Sequence, residues 1–400
     1  MVSTRPGEFG AFATLLLPLL GLLGCSSEAE PGAPSGNDAL CQALLPTCRD
    51  DQKACVVGSD GPRCEPCPTG QYANDAGHCT AIPGVLHEHE FPPFTSGPGQ
   101  EILDVCRSWT VGNEQELWVN AVELLQDEAS HHSNWTFVPE TEFPGPDGLW
   151  DCDERGYSQL QAAVTGGVLY AQSTQAKKEV QKFPDGVVVR IPPHSKIISA
   201  AHVLNTTTAP VTGHITLRFY AIPPEAVTVK LAPFHLSYDG LDMPPRSHTR
   251  FSGECELDSQ YQAAAGTPLG LTVYFILPHT HALGTRFFTE IAGGPNDGQT
   301  LIDMRGFNGE ARGQRYTPPI DVTGATGLRF GCEFENPRDE RVVWGFGNQE
   351  MCECLGFADS RLAFESRIDE AVPDGSDGDV LKFTGACNTI AFDWTGKQGD

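Results

Sequence analysis

The chain has 400 residues, of which 40% are apolar and 20% charged, enough to bury cores in more than one domain. Lys and Arg total 26 against 52 Asp and Glu, and a formal net charge of −26 is incompatible with binding a phosphate backbone, which excludes nucleic acid as a partner. Forty-three Gly and 31 Pro disfavour long helices and point to a turn-rich β protein.

The first 24 residues read as an export signal. Phe9 to Gly24 is almost wholly apolar and follows Arg5, too short for the roughly 20 residues of a membrane span but suited to a secretory h-region. It ends in Leu22-Leu23-Gly24-Cys25, which resembles the lipobox of bacterial lipoproteins. The resemblance makes Cys25 the lipidated first residue of the mature chain, held at the cell envelope by lipid alone. Residues 25–40 are polar and rich in Pro and Gly, a flexible tether.

Residues 41–82 carry Cys41, Cys48, Cys55, Cys64, Cys67 and Cys79 with little apolar material between them. In an exported chain this pattern predicts a small disulfide module, and six cysteines allow fifteen pairings. Cys64-Glu65-Pro66-Cys67 has the spacing of a zinc site, but an oxidising compartment favours disulfides. His87-Glu88-His89-Glu90 follows among prolines and reads as a solvated segment outside the main body.

Beyond it, short β-branched runs alternate with turn signals: 186–191, 196–204, 214–220, 269–277 and 328–334. Glu114 to Asp127 is compatible with either a helix or strands, and Asp151 to Glu154 with a solvated turn. Pro223-Pro224 divides the body into 84–222 and 223–395. The expected fold is all-β: two consecutive antiparallel jelly-roll β-sandwich domains preceded by the small disulfide-rich module. No Gly-rich phosphate loop and no Gly-x-Ser-x-Gly elbow occur.

Histidines carry the functional signal. His131 and His132 are adjacent, so sharing an ion requires a bulge, a turn or a strand end. His202 lies in a β-like run, and His279-Thr280-His281 places two imidazoles on one face of an extended segment. Met351, one of four methionines, adds a thioether, which with imidazoles selects a soft ion such as copper(I).

In order, His131-His132 is followed by His202 after 71 residues, by His279 after a further 77 and by Met351 after 72 more. This arrangement resembles the copper type II, ascorbate-dependent monooxygenases, the family of the peptidylglycine α-hydroxylating and dopamine β-hydroxylating enzymes, over roughly 91–394. Ala201-His202-Val203-Leu204-Asn205, His279-Thr280-His281 and Glu350-Met351-Cys352 match its local motifs. The resemblance implies two jelly-roll domains facing each other across a solvent-filled cleft, with two coppers per chain. His131, His132 and His202 would hold the electron-transfer copper; His279, His281 and Met351 would hold the catalytic one. Ascorbate or a similar reductant would supply electrons and O2 would be the co-substrate. Two disulfides are implied, Cys106 with Cys152 and Cys332 with Cys352, leaving Cys255 to pair with Cys354 or Cys387.

Departures from the family bear on substrate. Where peptide-amidating members hold a carboxylate with Arg, Asn and Tyr, this chain has Leu277, Glu353 and Leu355, so a peptide C-terminus is not the expected substrate. Glu353 and the acidic chain point instead to a small molecule such as an amine. Ala200 replaces the family's Gln before the third His. The other readings of the same residues are a copper-binding or electron-transfer protein without turnover, a zinc-dependent hydrolytic enzyme, which Met351 disfavours, and a structural double sandwich.

Overall fold

The structure is a computed structural model, and it describes residues 36–50, 52–127, 130–173, 175–306 and 312–399. The signal segment and Cys25 lie outside the described residues, as does most of the tether.

The fold is all-β, two jelly-roll-like sandwiches of mainly antiparallel strands behind a disulfide module. In the first sandwich one sheet runs Gly148–Asp151, Glu101–Thr110, Ser195–Leu204, Ser130–Pro139, Gly167–Ala171. The facing sheet is built around Leu117–Gln126, flanked by Ile215–Ile222 and then Val85–Glu90 on one side, and by Lys178–Lys182 and Val187–Ile191 on the other. The ambiguous segment 114–127 is therefore a strand, with seven successive buried residues from Trp118 to Leu124 that fit a central strand covered on both faces. Between the sheets pack Phe91, Trp135, Phe137, Leu217 and Phe219.

In the second sandwich one sheet runs Gln314–Asp321, Leu271–His279, Glu353–Ser360, Ala232–Tyr238, Leu362–Ile368, Cys387–Asp393. The other runs Thr300–Arg305, Gly284–Ala292, Gly327–Asn336, Ser247–Glu256, Val380–Thr384, Val372–Asp377. Phe251, Phe287, Phe330 and Phe334 fill the space between them. The pairs of Ala232–Tyr238 with Leu362–Ile368 and of Ser247–Glu256 with Val380–Thr384 are parallel, so both sheets are mixed.

Two features differ from the sequence reading. The chain leaves the first sandwich at Leu231, not at Pro223-Pro224: Val229–Lys230 pairs in parallel with Val187 and Val188, and Leu231 is in the first core. His87 and His89 are not in a solvated outlier; they lie on an edge strand, where His87 stacks on Phe219 and His89 on Trp109, centroids 4.8 and 5.1 Å apart. Aromatic faces available on the sheet override the polar look of that segment.

The module is closed by Cys41–Cys55, Cys48–Cys64 and Cys67–Cys79. It is docked on the first sandwich by a buried charge network: Glu123, fully buried, accepts from the Gly70 amide at 2.9 Å, from Arg218 at 3.0 Å and from Tyr220 at 3.1 Å, and pairs with Lys178. Lys178 in turn donates to the carbonyls of Cys67, Pro68 and Gln71.

In the body, Cys106–Cys152 and Cys332–Cys352 are bonded, the pairs the resemblance implies; Cys255 bonds Cys387, and Cys354 is a buried free thiol. The sandwiches are in direct apolar contact. Phe275, Leu277 and Phe357 of the second join the first core, with Phe183 and Phe357 centroids 5.4 Å apart. Where the resemblance implies an open solvent-filled cleft, this structure has a packed interface. The short helix Thr395–Gln398 returns to the first sandwich, where Lys397 Nζ donates to the Thr165 carbonyl at 2.6 Å.

Candidate metal centre

The histidines singled out in the sequence converge where the two sandwiches meet. On Ser130–Pro139, His132 lies opposite His202 and Ser130 opposite Val203, so His131 is the extra residue of a β-bulge. This is one of the irregularities that adjacent ligands require. The His131 side chain lies outside the described residues. The His132 and His202 rings are 4.6 Å apart, with His202 Nδ1 at 2.9 Å from His132 Nε2. His202 Nε2 donates to the Glu101 carboxylate at 2.7 Å, which leaves the Nδ1 lone pair facing His132. Burial lowers the His202 pKa against the pull of Glu101, favouring neutral imidazole.

On the second sandwich, Leu271–His279 ends at the turn through Thr280 and His281, and His279 is paired across the strands with Glu353. The turn through Thr280 and His281 is tight: a Cβ on Gly284 would meet Thr280 Oγ1 at 2.1 Å, so only glycine fits there. Glu350 ties this turn to the segment bearing Met351. Its two carboxylate oxygens accept from the His281 and Leu283 amides, each at 2.8 Å. Burial pushes Glu350 up to about 7 despite those bonds. Cys332–Cys352 anchors the other side of Met351.

Ring orientation is fixed by the far nitrogens. His281 Nδ1 lies 2.8 Å from the Gln349 carbonyl, which can only accept, so Nδ1 carries the proton and Nε2 keeps a lone pair. His279 Nδ1 contacts Ser173 Oγ of the first sandwich at 2.9 Å, while its Nε2 is buried without a hydrogen-bond partner. Burial, reinforced by His281, pushes His279 down to about 4, so it is neutral near pH 7.

His132, His279 and His281 each offer a nitrogen within 4.8 Å of the others. The structure thus gathers residues of both expected sets into one cluster, rather than two sites separated by a cleft. The packed apolar interface is the physical reason: it draws the histidine-bearing faces together.

A cavity of about 580 Å³ opens beside the cluster, lined by His132, His202, His279 and Met351. Its apolar wall includes Tyr157, Val168, Leu277, Trp344, Phe346 and Leu355. Ala200 and Glu353 line it as well, so every position at which the chain departs from the amidating pattern faces this space. Glu353 is paired with His235 at 3.7 Å; that pairing holds the carboxylate well down and raises His235, in both cases against the effect of burial. The loop carrying Trp344 and Phe346 closes over the first sandwich: Phe346 is 6.3 Å from His202, and Gly347 sits so close to Glu101 that a Cβ would meet Oε2 at 2.9 Å.

Sequence reasoning missed Glu101, Ser173 and His235, which come from distant strands with no spacing rule linking them to their partners. Glu350 was legible as part of Glu-Met-Cys, though not its bonds to the His-Thr-His turn.

The sequence matches no family model and no curated protein. Solved structures match only remotely. The major capsid protein P2 of bacteriophage PM2 has 8% identity and a TM-score of 0.26, covering 69% of this chain and 98% of its own. The cowpea mosaic virus top component has 10% identity and a TM-score of 0.29, covering 68% and 89%. A secreted protein of Parabacteroides distasonis has 7% identity and a TM-score of 0.18, covering 76% and 93%.

Proposed function

We propose that this chain is an exported, lipid-anchored copper monooxygenase that hydroxylates a C–H bond of a small organic substrate, using O2 and a one-electron reductant such as ascorbate. The observation that carries the reading is the buried, partnerless Nε2 of neutral His279, in a cluster with His132 and His281 and beside a cavity lined by the Met351 thioether. Three imidazoles alone suit zinc equally well; the thioether favours copper. Copper held among His132, His279, His281 and Met351, with His202 beside them, would supply one-electron redox cycling and a place for O2.

The chain's own residues do the rest. Ser173, the Gln349 carbonyl and Glu101 each hold the outer nitrogen of a ligand imidazole, fixing tautomer and aim. The apolar wall holds a substrate of modest size and keeps bulk water away from the reacting position. Leu277 and Leu355 offer nothing to a carboxylate, while Glu353 and His235 form a polar point on the wall; this favours an amine-bearing or neutral substrate over a peptide C-terminus. Six disulfides, including three in a core-poor module, agree with export, and the lipid at Cys25 would tie the chain to the envelope.

The test is ascorbate-driven O2 consumption by copper-loaded protein across a panel of aromatic and aliphatic amines. Uptake that rises with one substrate and yields its hydroxylated product in matching amount supports the reading. Copper binding with no substrate-stimulated uptake would leave a copper-binding or electron-transfer protein.

A further inference from the structure

The cavity beside the imidazole cluster opens through an apolar mouth. Eleven large apolar side chains are exposed among the described residues, and three of them, Leu103 at 41%, Leu160 at 47% and Phe346 at 48%, line this one cavity. Single exposed apolar residues are ordinary, but three from separate elements of both sandwiches around one opening mark a contact surface.

Local structure holds each of the three in place. Leu103 lies in a β-bulge: two residues, 103 and 104, stand opposite His202, and a bulge re-aims side chains out of the regular alternation. Leu160 is on the helix Gln159–Thr165, which buries Ala162 in the first sandwich and carries Leu160, Ala163 and Val164 at the spacing of one helix face. Leu160 and Ala163 line the cavity, and Val164, also exposed, extends that face beyond it. The helix is tied at both ends, by Ser158 Oγ accepting from the Gln161 amide at 3.4 Å and by the Gly166 amide donating to the Ala162 carbonyl at 2.9 Å. Phe346 belongs to a loop of the second sandwich. Its carbonyl accepts from the Gln349 amide at 3.1 Å, the Gly345 amide donates to the Glu350 carbonyl at 3.0 Å, and the Val343 amide donates to Gln349 Oε1 at 2.8 Å. The exposed ring is therefore carried on a tied loop.

The deeper wall is apolar too, with Leu277 buried and Val168 and Leu355 half-buried. We infer that the substrate of this site is amphiphilic, with its reacting end at the imidazole cluster and an apolar tail that leaves the cavity against Leu103, Leu160 and Phe346. A compact substrate held wholly inside would leave these three side chains in water, whereas a tail lying on them removes apolar surface from water, which is favourable in proportion to the area covered. The inference rests on the reading of the cavity as the reacting site, and it narrows the substrate class to a tail-bearing amine or alcohol.

Isothermal titration of the metal-free mature protein with n-hexylamine, n-octylamine and n-decylamine, and with n-hexanol and n-octanol, tests this without turnover. The expected result, in at least one series, is saturable 1:1 binding that tightens about two- to fourfold per added methylene, as burial of a CH₂ does. The longest member should bind at least ten-fold more weakly to Leu103→Ser/Leu160→Ser and to Phe346→Ser, variants whose melting temperatures without ligand equal that of the unsubstituted protein. Affinity that does not change with tail length, many weak sites untouched by the substitutions, or a dimer in sedimentation equilibrium that the same substitutions dissolve would overturn the inference. Because the readout needs neither copper nor O2, tail-dependent binding without substrate-stimulated O2 uptake would retain the amphiphile site and remove the monooxygenase reading. Uptake with compact amines alone would do the reverse.

Discussion

His132 of the first sandwich and His279 of the second stand with ring centroids 4.8 Å apart, although 147 residues separate them in the chain. With His281 they form a donor set that neither sandwich completes alone. A metal held there would tie the two sandwiches together, so that its binding and their association would be linked.

That linkage predicts a metal-dependent stability. At a free copper concentration about 100 times Kd, a site present only in the native state adds about 2.7 kcal/mol. Differential scanning calorimetry should show the melting temperature rising with copper in the unsubstituted protein and not in His132→Ala or His279→Ala; removal of the metal by a chelator should reverse the rise.

Glu350→Ala strands the His281 and Leu283 amides in a buried place. Each buried donor left without a partner costs about 1–3 kcal/mol, so for the two amides a loss of about 2–6 kcal/mol is expected, together with weakened metal binding because the His-Thr-His turn loses its tie to the Met351 segment. Glu350→Gln retains one acceptor oxygen and should lose about half as much. Chemical denaturation of the metal-free variants checks the order.

How far could the site be read in the sequence? The strands were legible because 187–191 and 215–222 have strong β patterns bounded by turn residues, and the ligand candidates because His-His, His-x-His and Glu-Met-Cys are local patterns. The closeness of His132 to His279 was not legible, since it depends on Phe183 packing against Phe275 and Phe357 across the interface. Nor were Ser173 and Glu101, whose roles arise only from long-range packing. His87 and His89 misled for the opposite reason: a polar local sequence concealed the aromatic faces they stack on.

Glu123→Gln should loosen the module. The substitution leaves Lys178 and Arg218 beside a neutral amide in a buried network, and breaking a buried pair of this kind costs about 3–5 kcal/mol. Limited proteolysis should then release the module with its three disulfides intact, whereas the unsubstituted protein resists cleavage.

The Cys106–Cys152 bond closes a loop of 46 residues and places Cys152 on the cavity wall. In the chain-entropy account its removal costs about 4 kcal/mol. A Cys106→Ser/Cys152→Ser variant should unfold at lower denaturant and bind substrate more weakly, while its copper content stays unchanged.

The central claim is that imidazoles of both sandwiches and Met351 hold copper. Its most direct test is the copper content of reconstituted protein by elemental analysis, with X-ray absorption of the copper(I) form, for the unsubstituted chain and for His132→Ala, His279→Ala and Met351→Ile. The account predicts bound copper with a sulfur scatterer, loss of copper in both histidine variants and loss of the sulfur scatterer in Met351→Ile. Preference for zinc, or full copper retention with an unchanged spectrum in all three variants, would contradict it.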